Sequence, residues 1–131
     1  MTAVRLWRAR STLRPMVDVV VSSVVIDCAD PLALAPFWRE ALGYEVVDAA
    51  QEWVLLEDPD GIGVSIGLQQ VPETKTVKNR VHIDVSAADE EITALRLQAL
   101  GATRLSVSES EEDPFVVLAD PEGNEFCVVR E

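Results

Sequence analysis

A chain of 131 residues, 48% apolar and 26% charged, has the profile of one soluble globular domain and is too short for two ordinary ones. Its net charge of −12 is uneven: residues 1–16 carry Arg5, Arg8, Arg10 and Arg14 and no acid, leaving 7 basic against 23 acidic residues beyond them. Such an acidic body repels phosphate backbones and excludes nucleic acid as the expected partner; Cys28 and Cys127, isolated and without a CxxC, exclude a disulfide framework and read as reduced thiols of a cytoplasmic protein.

In chain order, the basic arm (1–16) has no periodicity and is expected to be flexible, with Met16 an alternative start. The apolar run Val19–Ile26 behind an Arg-rich start has the look of a signal peptide. Asp18 and Asp27 flank it, however, no small-x-small site follows, and it is far short of a membrane span. It reads as a strand. Leu34, Phe37, Trp38, Ala41 and Leu42 fall on one helical stripe, which assigns Trp38 to the core. Pro31 and Pro36 place the helix start near Ala33, and Gly43 supplies a left-handed stop. Strands are predicted at Tyr44–Asp48, Glu52–Glu57 and Ile62–Leu68, the last two joined by the turn Asp58-Pro59-Asp60-Gly61. The polar, patternless stretch from Gln70 reads as a linker (70–78).

Beyond it, Val81-His82-Ile83-Asp84 starts a strand in which Val81, Ile83 and Val85 pack under a helix. Ser86 is the expected cap of that helix with Asp89 as its capping-box partner, and Asp89, Glu90 and Glu91 favour its positive end. Ala88, Ile92, Leu95 and Ala99 are its expected buried stripe, and Gly101 its stop. Strands follow at Thr103–Val107, Phe115–Ala119 and Glu125–Val129, with an acidic loop at Ser108–Pro114 and the turn Asp120-Pro121-Glu122-Gly123.

The second half thus repeats the first. Val24–Asp27 matches Val81–Asp84, Ala41–Gly43 matches Ala99–Gly101, and Asp58–Gly61 matches Asp120–Gly123, in the same order. The fold class expected is α+β: two tandem βαβββ modules (about 17–69 and 79–131) curled into a cup around a shared cleft. Strand parity turns His82, Asp84, Glu125 and Cys127 toward that cleft; in the first copy Val25 and Asp27, then Gly63 and Ser65, take the matching places. Trp53, on a central strand, is a further candidate for the cleft wall. No nucleophile elbow, P-loop or GxGxxG is present.

The run Pro121-Glu122-Gly123-Asn124-Glu125-Phe126, after Val-His-Ile-Asp and a helix ending Leu-Gly, resembles the C-terminal module of the glyoxalase/bleomycin-resistance (vicinal oxygen chelate) superfamily. Asp30-Pro31 through Phe37-Trp38 to Leu42-Gly43 resembles its N-terminal helix, so the likeness spans about Val17 to Arg130. Metal-dependent members take a His or carboxylate from the first strand of a module and a Glu from the last, which implies His82 and Glu125 here. Such a pair would suit zinc, iron or manganese, yet Val25 and Gly63 offer nothing, and two ligands are one short of a catalytic site. Asp27 and Asp84, two residues further along their strands, are expected to be about 6–7 Å off and outside a first shell. The expectation is no resident metal.

Three readings of His82 stay open: a hydrogen bond to Glu125 that merely satisfies two polar groups, a metal-free ligand anchor or general acid/base oriented by Glu125, and a metal site. The resemblance implies a small-molecule binder, metal-independent and dimeric, taking an oxygenated organic ligand or antibiotic, with Asp27, Trp53, Ser65, Asp84 and Cys127 lining its site. The alternatives are a lyase, isomerase or dioxygenase-type enzyme using His82 and Glu125, or an assembly protein with a vestigial cleft; no membrane partner is expected.

Overall fold

The two halves of the sequence fold as two copies of one βαβββ unit. The computed structural model describes residues 16–131, so the basic arm and the expectation of its flexibility lie outside the described residues but for Met16. The first unit comprises β1 (Ser23–Cys28), α1 (Pro31–Leu42), β2 (Glu45–Ala50), β3 (Trp53–Glu57) and β4 (Ser65–Gln70). The second comprises β5 (Ile83–Ala87), α2 (Glu90–Ala99), β6 (Thr103–Val107), β7 (Phe115–Ala119) and β8 (Glu125–Arg130). Each makes a four-stranded sheet of the same order, β1-β4-β3-β2 and β5-β8-β7-β6, with the first and last strands of a unit parallel and the rest antiparallel. The expected α+β class and duplication are thus what the chain adopts.

Alternation sorts the faces of each sheet. Val54, Leu56, Ile66 and Leu68 of the first and Val116, Leu118, Phe126 and Val128 of the second are buried on the helix side. Leu34, Phe37 and Trp38 of α1 join them, as the helical stripe predicts, and one continuous core runs through both units. Trp38 packs edge-on against Phe126, with ring centroids 5.0 Å apart.

Polar contacts fix the same junction. The Trp38 indole Nε1 donates to the buried Asp120 carboxylate at 3.1 Å. Asp120 also accepts from the backbone N–H groups of Glu122 and Asn124, which closes its own turn. The Glu122 carboxylate in turn accepts from Ala29 N and Asp30 N, just ahead of α1, where the helix dipole favours an anion.

Several local expectations are corrected. α1 begins at Pro31, not Ala33, capped by Asp30, whose side chain accepts from Ala33 N. Pro36 lies inside it; the backbone acceptor it leaves idle belongs to Leu32, which faces solvent. α2 is capped by Asp89 instead of Ser86, because Ser86 and Ala87 are held in β5 against Val129 and Arg130. Its buried face is Ala94 and Leu97, while Ile92 and Leu95 are exposed: the small Ala94 lets the helix lie close on its sheet. Val81 precedes β5 and is 78% exposed, so it does not pack under α2. β1 starts at Ser23 and leaves Val19, Val20 and Val21 in solvent, since β4 offers no partner before Ser65. β4 itself starts three residues later than predicted, because Asp58 accepts from the N–H groups of Ile62 and Gly63 and keeps them in the turn. Both Asp-Pro-x-Gly turns close as expected, with Gly61 N donating to Asp58 O and Gly123 N to Asp120 O, each at 2.9 Å.

Candidate functional site between the first strands of the two units

A cavity of about 840 Å³ lies where β1, the segment between the units and the start of β8 come together. Val25 and Asp27 of β1, His82 just ahead of β5, and Glu122 and Glu125 around the last turn reach its wall. So does the segment 71–80, read from sequence as a bare linker. It contributes Lys75, Lys78 and Arg80 to an otherwise acidic protein. The signal was present: three of the seven cations beyond the basic arm fall within six residues.

His82 and Glu125 face the same space, as parity requires, but they do not bond to one another. Glu125 is held by Lys75 Nζ at 2.5 Å and by Asn79 N at 3.1 Å. Burial alone would raise its pKa; the Lys75 ammonium and the Asn79 N–H outweigh this and leave it below the ordinary glutamate value. Lys75 also donates to the Val77 carbonyl, so one side chain ties the segment to itself and to β8. His82 instead turns to Asp84, with Nε2 3.1 Å from Oδ1. The hydrogen-bonded His82–Glu125 pair is therefore replaced by two separate pairs.

The separation expected for Asp84 is likewise corrected. A spacing of 6–7 Å holds for the backbone positions of residues i and i+2, but both side chains rise from one face and lean together. Asp84 is also the register partner of Cys127 across the parallel β5–β8 ladder. One donor atom each from His82, Asp84 and Cys127 lies within 4.8 Å of the others. Burial, with the nearby Asp84 carboxylate, pushes the Cys127 thiol up, against a smaller opposing effect of Lys78.

The ladders also correct the pairing of the two copies. Val25 stands beside Gly67 and Asp27 beside Gln69, in the relation that Asp84 bears to Cys127. Gly67 and Gln69, not Gly63 and Ser65, are thus the first-unit counterparts of Glu125 and Cys127. The space above Gly67 is taken: a Cβ there would lie 2.3 Å from Cη2 of Trp53, whose ring spans that face. Trp53 therefore faces the side predicted for a ligand wall, although it does not reach the 840 Å³ cavity; neither do Ser65, Asp84 or Cys127, while Asp27 does.

A divalent metal held between His82 and Glu125 does not fit these residues. An ammonium already neutralises Glu125, and the first-unit positions that match His82 and Glu125 are Val25 and Gly67, which offer no donor, the Trp53 ring covering Gly67. What the arrangement offers a ligand is a partly apolar chamber whose lining carries the cationic donors Lys78 and Arg80 together with the carboxylates of Asp27 and Glu122. No helix among the described residues is long and apolar enough to cross a membrane.

Comparison with known proteins agrees with this architecture. A glyoxalase/bleomycin resistance protein/dioxygenase family enzyme from Burkholderia phytofirmans PsJN superposes with a TM-score of 0.69 at 21% identity, covering 86% of this chain and 98% of its own. The bleomycin-binding protein of bleomycin-producing Streptomyces verticillus, complexed with copper(II)-bleomycin, gives 0.63 at 17% identity, covering 88% and 99%. A lactoylglutathione lyase from Agrobacterium tumefaciens gives 0.64 at 17%, covering 88% and 96%. At these identities the likeness shows the fold. No curated protein matches the sequence significantly. The Glyoxalase-like domain family matches residues 23–129, nearly all of the described chain, and the protein belongs to that family.

Proposed function

We propose that this protein binds a small oxygenated organic molecule in the 840 Å³ cavity and that this binding needs no divalent metal. The observation carrying the reading is the Lys75–Glu125 pair, which puts a protein cation where the family's glutamate would meet its ion. The cavity volume suits a drug-sized ligand, for which pockets run to roughly 300–1,000 Å³. Lys78 and Arg80 on its wall form no ion pair among the described residues and are free to receive carboxylate or carbonyl oxygens. The bleomycin-binding neighbour makes antibiotics of that type a natural first class to try, and light scattering at micromolar concentration tests the proposed homodimer.

His82 beside Asp84 favours a second reading, an acid/base enzyme of the lyase or isomerase kind, since a carboxylate orients an imidazole for proton transfer. The test is calorimetric titration with bleomycin-type antibiotics and small oxygenated metabolites, with and without EDTA. Binding that survives EDTA and weakens about tenfold in Arg80→Ala, a loss of ~1.4 kcal/mol, supports the proposal. Binding abolished by EDTA overturns it, and turnover lost in both His82→Ala and Asp84→Asn moves the assignment to the enzyme.

A further inference from the structure

We infer that His82, Asp84 and Cys127 form a binding site for a thiophilic divalent ion of the zinc class, one pleat along the sheet from the His82–Glu125 position. The backbone sets up the trio. Asp84 and Cys127 are directly paired in the parallel β5–β8 ladder, and His82, two residues before Asp84, shares their face. Their donor atoms already lie within 4.8 Å of one another, and His82 Nε2 is 3.1 Å from Asp84 Oδ1. Around a tetrahedral zinc ion with bonds of 2.0–2.3 Å, donors sit roughly 3.3–3.8 Å apart. The widest separation in the trio exceeds that spacing by at most about 1–1.5 Å.

The donor chemistry selects the ion. Imidazole nitrogen with cysteine sulfur suits zinc or cobalt(II), whereas calcium and magnesium take oxygen donors. Three protein ligands leave a fourth position for water or a ligand atom, as open zinc sites do. The His82 and Asp84 side chains are about half exposed, at 46% and 56%, so an ion has a path in. Cys28 is buried against Gln69 on the other unit and takes no part. Asp84 and Cys127 stand outside the cavity wall and His82 alone is shared with it, so the ligand binding proposed above does not depend on this site.

Cobalt(II) titration of protein purified without chelator or affinity tag provides the test. The expected result is one ion per chain with a near-ultraviolet sulfur-to-cobalt charge-transfer band. Cys127→Ser should abolish the band, Asp84→Asn should weaken binding at least tenfold, and Glu125→Gln should leave both unchanged. A measurement on the unaltered chain guards against misfolded variants: zinc should slow alkylation of Cys127, located by peptide mass, while calcium should not. No cobalt binding, binding without the sulfur band, or binding lost in Glu125→Gln would overturn the site, and so would a Cys127 alkylation rate indifferent to zinc. Ligand titration in EDTA is untouched by any of these outcomes, so failure of this site and failure of the proposed ligand binding are distinguishable.

Discussion

Replacing Asp120 by alanine separates the two turns that the sequence writes alike. Asp120 is 2% exposed and its carboxylate accepts from Trp38 Nε1, Glu122 N, Asn124 N and Asn124 Nδ2, so the substitution strands donors that are themselves buried. A buried donor left unpaired costs about 1–3 kcal/mol. With Trp38 1% and Asn124 9% exposed, two such donors and the loosened turn come to roughly 3–5 kcal/mol, a large share of the ~5–15 kcal/mol that holds a domain folded. At this chain length that lowers the melting temperature by on the order of 10–20 °C. Scanning calorimetry or circular dichroism melts measure it, with Asp58→Ala as the control. Asp58 makes the same kind of turn, accepting from Asp60, Ile62 and Gly63, but it is only half-buried and forms no hydrogen bond to the second unit among the described residues, so its loss should cost less than half as much. A double-mutant cycle with Trp38→Phe should show a coupling of about 1–2 kcal/mol. Equal melts for the two aspartate variants, or zero coupling, would refute the idea that Asp120 locks the units together.

Two further outcomes are expected. Glu125 titrates below the ordinary glutamate range in the folded chain, so its pair with Lys75 contributes stability above that range and loses it as the pH falls through the depressed folded value; Glu125→Gln should flatten the acid limb of a urea-stability profile. Burial first, and then the carboxylates of Glu122 and Asp120, push the Cys28 thiol up to about 12, so Cys28 should resist thiol reagents at neutral pH in native protein and react on unfolding, as timed labelling with mass analysis would show.

The architecture is legible in the sequence because its periodicities are local. The stripe Leu34–Phe37–Trp38 tolerates one helical face, the Asp-Pro-x-Gly turns close through their own backbone, and the ordered duplication leaves two βαβββ units as the economical reading. Parity along β5 and β8 is legible too, and it sets His82, Asp84, Glu125 and Cys127 on one face.

What the residues touch depends on packing between distant segments. α2 carries two candidate apolar stripes, and only docking against β7 and β8 chose Ala94 and Leu97 over Ile92 and Leu95. The start of β4 depended on an aspartate side chain taking N–H groups from Ile62 and Gly63, a competition that pattern does not record, and that shift made Gly67 the counterpart of Glu125. Lys75 and Glu125 are fifty residues apart, and no local rule brings a linker lysine onto a strand carboxylate. Nor does strand spacing show that His82 and Asp84 lean together beside Cys127, since side-chain reach across a ladder is a property of the folded sheet and not of the sequence interval.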